Sequence, residues 1–251
     1  MEIVAVGLAY GFGSYLLRAT PLIPFFGSTE GVKKEQKIVK GLAQRMGITE
    51  MIEVRRTPLA GLFEYSAFGA IGFPFANSIL IPQKSLVQKE AKVFTYAQEI
   101  AHLERGDNLK IGIVMQLALI VIGLVAFIDY PIEVALVIGI VAAIAMEIFI
   151  TRRYEEKTDE QICGILTDDE IIGGVLKLEQ KRLDQRRIYL NAKEGKGTFL
   201  GDLFGRMHYN EVGDSCFDLC HQSLTKRIST LRSKIRDQEK RNECYLLMKE
   251  L

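Results

Sequence analysis

Residues 111–128 read IGIVMQLALIVIGLVAFI, 18 consecutive residues without a charge. As a helix rising ~1.5 Å per residue, such a run reaches roughly 27 Å, close to the hydrocarbon thickness of a bilayer. After Asp129-Tyr130-Pro131 comes a second apolar run, Ile132 to Ile150, interrupted only by Glu133 at its start and Glu147 near its end. The pair predicts a tight transmembrane hairpin over 111–150, because irregular backbone exposed to lipid would leave its polar groups unsatisfied. No Lys or Arg lies at the hairpin tip, whereas Arg105, Lys110, Arg152 and Arg153 flank it. By the positive-inside rule the tip faces out and both flanks are cytoplasmic, as in an integral protein of an inner or cell membrane.

The rest of the chain is polar. There are 32 basic and 31 acidic residues among 251, yet mean hydropathy is positive, so apolar and charged residues are segregated along the chain. The net charge of +1 gives no footprint for nucleic acid. Residues 1–30 form an apolar segment, 31–110 and 151–251 two halves of one polar domain, and 111–150 the hairpin between them. The opening MEIVAVGLAYGFGSYLLRATPLIPFF precedes Lys33, Lys34, Lys37 and Lys40 and is read as a third, weaker span with its amino end outside. A cleaved signal peptide and an interfacial helix broken around Arg18 to Pro24 are the alternatives, the former opposed by Glu2 where a basic start is usual.

Within 31–110, KEQKIVKGLAQRMGI has helical apolar spacing at Ile38, Leu42 and Met46, MIEVRR alternates like a strand and SILIPQ is a short buried strand. Gly69, Gly72 and Pro74 mark turns between the two strands. A helix follows over about 89–104. Residues 151–251 read as mainly helical, with KEGKG at 193–197 as a loop and LTKRISTLRSKIRDQEKRNECYLLMKEL as one closing amphipathic helix. The fold class is α+β, mainly helical with a small sheet. Cys163, Cys216, Cys220 and Cys244 all follow the hairpin; a cytosolic location argues against disulfides. Cys216, Cys220 and His221 match no usual zinc module, so buried thiols are expected there.

The helix over 89–104 carries YAQEIAHLERGD. Histidines four apart, with glutamate after the first, sit one turn apart on one helical face and can grip Zn²⁺ while the glutamate works on its water. Here Glu99 and His102 are in place and Gln98 stands at the first histidine. Taken alone, a Glu-x-x-His pair is more often a hydrogen-bonded surface pair than a metal site. A continuous helix running from the second apolar run into TRRYEEKTDEQICGI would add Glu147, Thr151, Glu155 and Asp159 on one face at four-residue steps. Glu147 is read as an interfacial charge and His208 as a structural histidine.

These stretches resemble, in order, the HtpX-like membrane zinc metallopeptidases, the family that also includes the type-1 CAAX prenyl proteases. TRRYEEKTD is similar to the family's Arg-rich Glu-x-x-x-Asp signature, MGITEMIEVRRTP to the strand before its Asn-Ala-Phe-Ala segment and ANSILIPQKSL to the strand after it. EAKVFTYAQEIAHLERGD is similar to the motif helix, and CHQSLTKRISTLRS to the Thr-His-Pro-Ser stretch before the final helix. The resemblance covers roughly residues 35 to 235. It implies a gluzincin-like metallopeptidase domain with an inserted hairpin and one zinc per chain, held at positions Gln98, His102 and Glu155. It further implies Glu99 as general base, His221 orienting substrate or transition state, and Asp159 and Asp107 in supporting roles. The implied substrates are membrane or misfolded polypeptides, laid in extended form against the sheet edge around 59–81. About three spans are too few for the large chamber of the prenyl-protease branch, which leaves membrane quality control.

Three positions depart from the family pattern: Gln98 replaces a histidine ligand, Gly61 stands where an asparagine would fall and Gln222 replaces a proline. An amide oxygen is a poorer donor than imidazole to borderline-soft zinc. Zinc is therefore expected to be weakly held or absent, and the rival reading is a pseudopeptidase that binds membrane-protein segments or a partner without metal.

Overall fold

The structure, a computed structural model, describes residues 27–57, 66–68, 77–82, 88–107, 110, 132–215 and 222–251, with the backbone alone for 66–68 and 132–148. The chain divides into two compact units, one comprising Met1–Ser85 with Tyr96–Tyr154, the other Leu86–Thr95 with Glu155–Leu251.

In the first unit, helix α1 (Lys33–Arg45) buries Val39, Leu42 and Ala43, with Val32 just before it. This stripe is rotated one step from the expected Ile38, Leu42, Met46 line, leaving Ile38 and Met46 half-buried. The rotation turns Gln36 toward the neighbouring strand, where its Nε2 donates to the Ile52 carbonyl at 2.7 Å and its Oε1 accepts the Val54 N–H at 2.8 Å. The helix stops at Gly47, whose φ of 75° favours a residue without a Cβ.

Strands β1 (Ile52–Thr57), β2 (Ser66–Phe68) and β3 (Asn77–Pro82) make a sheet in the order β1-β3-β2. β1 runs parallel to β3 with Ile52 opposite Asn77, and β2 antiparallel with Ala67 opposite Ile79. β3 is central and buried from Asn77 to Ile81, which explains why SILI is a continuous run and not an alternation. β2 is an addition to the two expected strands. The outer edge of β1 is closed: Gln36 takes Ile52 and Val54, and Ser28 and Arg56 exchange two backbone hydrogen bonds of 2.8 Å. Among the described residues β2 pairs only with β3.

Helix α2 (Lys89–Arg105) contributes Tyr96 onward to this unit, with Tyr96, Ala97, Ile100, Ala101 and Leu103 buried. Helix α3 (Ile132–Ile165) is unbroken for 34 residues, so the second apolar run continues as helix into the turn carrying Glu155 and Asp159. Among the described residues no helix is long and apolar enough to cross a membrane. The first apolar run of the hairpin and residues 1–26 lie outside the described residues, and for most of the second run only the backbone is described.

The second unit is helical. Helix α4 (Asp168–Lys193) starts at a capping box: Thr167 Oγ1 accepts the Glu170 N–H at 3.4 Å, and the Glu170 carboxylate accepts the Thr167 N–H at 2.8 Å. Gly173 and Gly174 meet the first turns of α2. A Cβ at Gly173 would fall 2.7 Å from the Glu90 carbonyl carbon, and one at Gly174 would enter the Phe94 ring. α4 also receives α5 (Phe199–His208), α6 (Leu224–Ser233) and α7 (Gln238–Glu250), around a core that includes Ile171, Val175, Ile228 and Leu231.

The expected single closing helix is two. The Asp168 carboxylate accepts the N–H groups of Arg236 at 3.3 Å and Asp237 at 2.9 Å, and the Asp237 side chain accepts those of Glu239 at 2.8 Å and Lys240 at 3.4 Å. Two carboxylates thus draw backbone donors out of the helical ladder and start α7 afresh. Among the described residues the fold is mainly helical α+β with one small sheet.

Candidate metal centre

Gln98 and His102 stand one turn apart on α2, Gln98 buried, His102 and Glu99 half-buried. The helix ends at Gly106, whose φ of 63° turns the chain left-handed and brings Asp107 back toward the last turn. Asp107 is 2% exposed, and its Oδ2 lies 2.8 Å from His102 Nδ1. Arg105 reaches the same carboxylate, its Nε donating to Oδ1 at 3.2 Å and its Nη2 contacting Oδ2. Burial by itself pushes the Asp107 carboxyl up. The hydrogen bonds from His102 and Arg105 and their charges outweigh it and hold the group below the usual carboxylate range.

An ionised carboxylate only accepts, so the proton of the His102–Asp107 bond sits on Nδ1, and the neutral form of the ring carries its lone pair on Nε2. This is the tautomer a metal-binding histidine needs, and a carboxylate behind the ring both fixes its orientation and raises its basicity. Arg105 Nη2 also donates to the Tyr154 carbonyl of α3 at 3.1 Å. Burial, with the negative charge of Asp107, pushes the Tyr154 phenol up.

In the second unit, Glu155 and Asp159 lie one turn apart on α3, and both face Arg227 of α6. Arg227 Nε donates to Asp159 Oδ2 at 2.7 Å and Nη2 to Oδ1 at 2.9 Å, while Nη2 is 3.4 Å from Glu155 Oε2. Ser223 starts α6 by accepting the Lys226 N–H at 3.2 Å, which sets the helix that presents Arg227. Sequence reasoning missed Arg227. The only available signal was an arginine inside CHQSLTKRISTLRS, and nothing in a single sequence ties it to a carboxylate 68 positions away.

His221, Cys216, Cys220 and Gly61 lie outside the described residues, and Gln222 directly precedes the Ser223 cap. His208 belongs to an aromatic cluster, stacked on Phe204 and edge-on to Tyr209, each at 4.8 Å between centroids. Cys163 is a buried free thiol, pushed up to about 12 by burial and by Asp159, and so is no thiolate donor at neutral pH. A cavity of about 880 Å³ lies between α1 and β1, lined by residues that include Val32, Gln36, Ile48 and Met51 and none of the metal candidates.

Gln98, Glu99, His102 and Asp107 belong to the first unit and Glu155 and Asp159 to the second. Among the described residues no three His, Cys, Asp or Glu side chains form a metal-binding group. Within the first unit, His102 and Gln98 offer one carboxylate-backed imidazole, an ordinary zinc donor, and one amide oxygen, a poor one. Comparison with known protein families, with curated proteins and with solved structures finds no match to this chain.

Proposed function

We propose that this chain is a membrane-bound zinc-dependent metalloendopeptidase of the HtpX-like type, cleaving membrane or misfolded proteins at a site on the cytoplasmic face. The observation that carries the reading is the hydrogen bond from His102 Nδ1 to the ionised Asp107, which prepares Nε2 as a donor. His102, Glu155 and the Gln98 amide oxygen would hold the metal. Zinc, when bound, acidifies water toward a pKa of ~7 and polarises a scissile carbonyl.

The chain's own residues do the rest. Glu99, next to Gln98 on α2, takes the proton of the attacking water on its carboxylate and returns it to the departing amine nitrogen. The side of β2 that faces away from β3 would offer backbone hydrogen bonds to a substrate strand and hold it extended. Arg227 offsets the combined charge of Glu155 and Asp159 and fixes the turn that carries them. His221 orients the substrate, and the apolar runs anchor the domain where membrane-protein segments emerge.

Gln98 favours a second reading, a pseudopeptidase that binds such segments without metal. The test is zinc per chain, by elemental analysis of detergent-purified protein and of a Gln98→His variant. Asp107-type supporting changes already cost zinc sites ~10 to 100-fold, so exchanging a ligand should weaken binding by about 100-fold or more. Under the peptidase reading both proteins reach one zinc per chain at excess zinc, and Glu99→Ala abolishes cleavage without removing the metal. Zinc in the histidine variant alone selects the pseudopeptidase. Zinc in neither refutes the metal site.

A further inference from the structure

Helix α5 is amphipathic the wrong way round for a protein surface. Phe199, Leu200, Leu203, Phe204 and Met207 cover roughly 140° of its circumference at 3.6 residues per turn, and they are 82%, 74%, 46%, 58% and 55% exposed. The opposite side meets α4 through Gly205: a Cβ there would lie 2.8 Å from the Ala192 Cβ, and Arg206 Nε donates to the Ala192 carbonyl at 2.8 Å. A surface helix normally turns its apolar stripe to the core. Here a glycine faces the core and the apolar stripe faces away. The helix is held in this pose, capped by Thr198, which accepts the Gly201 N–H at 3.2 Å.

Size and charge point to what covers this face. The five exposed side chains present on the order of 500 Å² of accessible apolar surface, short of the ~800 Å² per partner of a stable protein pair. A lipid surface needs no such area, only an apolar stripe sunk ~5–10 Å into the boundary between headgroups and acyl chains. The stripe carries no charge, and the nearby lysines are matched, Lys193 with Glu211 at 3.1 Å and Lys196 with Glu194. Such a face enters by apolar burial and has no need of anionic headgroups. Tyr209 and His208 at its carboxyl end have the apolar body and polar tip found at bilayer boundaries.

We propose that α5 lies in the lipid–water interface of the membrane that holds the chain, with the stripe from Phe199 to Met207 inserted. The inference rests on the membrane location proposed above. The sequence contains no tryptophan, so Phe199→Trp supplies one reporter in the full chain. In phosphatidylcholine vesicles, its emission should be blue-shifted and quenched at least about twofold by lipid brominated at shallow acyl positions, less by lipid brominated deep in the chain, and equally at low and high salt. Tyr245→Trp, at a ring flanked by Arg232 and Lys249, should stay unquenched. Adding Leu200→Ser and Leu203→Ser to the Phe199→Trp chain should abolish the quenching while flotation with the vesicles persists. A chain that does not float with lipid sinks the membrane reading and this inference together. Flotation with water-like emission from the reporter overturns the inference alone. So does a blue shift without lipid quenching, which would mean that a second copy or another segment of the chain covers the face.

Discussion

Replacing Arg227 by alanine removes the bidentate partner of Asp159. The two side chains are 12% and 9% exposed and meet through contacts of 2.7 and 2.9 Å. Exposed ion pairs contribute up to ~1 kcal/mol, but deleting one member of a buried pair costs ~3–5 kcal/mol, because the survivor keeps its desolvation without its partner. Residual solvent access lowers that figure. The loss of the charge between Glu155 and Asp159 raises it, since two carboxylates one turn apart then repel. We expect a cost of about 3 kcal/mol for Arg227→Ala, or a fall in Tm of ~6–12 °C for a chain of this size. Thermal unfolding in mild detergent, followed by far-ultraviolet circular dichroism, would measure it. Asp159→Asn should cost less, and the double variant should fall short of the sum of the singles by ~2 kcal/mol. Arg227→Lys, which keeps the charge and loses the planar fork, should lie between wild type and alanine. Additive singles, or a shift below about 2 °C for Arg227→Ala, would refute the picture of a buried clamp.

Two further outcomes follow from packing and burial. Gly174→Ala drives a methyl group into the Phe94 ring and should destabilise the helical unit by ~1–3 kcal/mol in the same unfolding assay, whereas Gly164→Ala, with nothing within 4 Å of the added carbon, should be neutral or stabilise by ~0.5 kcal/mol. The Cys163 thiol is pushed from its ordinary 9.0 up to about 12 by burial and Asp159. The unfolded thiol therefore ionises first, and its contribution to stability is intact below pH ~9 and lost as pH rises toward ~12; iodoacetamide should label Cys163 in denatured protein at pH 9 and leave it unlabelled in native protein.

What could be read from the sequence was whatever depends on neighbours in the chain. MIEVRR and SILI are strands because their residue types and spacing suit a half-buried and a fully buried strand. The helix through Glu155 and Asp159 follows from an unbroken run of helix-compatible residues. The parallel pairing of β1 with β3 and the short strand Ser66–Phe68 were not legible, since three residues carry no periodicity and register is set across space. The break between Ser233 and Gln238 contains neither glycine nor proline; it is made by Asp168, about 69 positions earlier. The α1 stripe was misjudged by one position because Gln36, a polar residue, has the strongest reason to face the sheet. At the candidate site, Gln98, Glu99 and His102 were visible as a motif. The bond that orients His102 needed the Gly106 turn, and the Arg227 clamp needed the tertiary fold.

The amide of Gln36 has one more consequence. It mimics a stretch of neighbouring strand, and with Ser28 beside it the outward-facing residues Ile52, Val54 and Arg56 of β1 are already engaged. Among the described residues the sheet therefore has a valence of one. A strand added at β2 ends the ladder, and two copies joined through that edge would form a closed pair with nothing left to recruit a third. A sheet with two live edges can template an endless polymer; among the described residues this one has at most a single edge to offer, a useful property in a protein proposed to handle extended, aggregation-prone polypeptide.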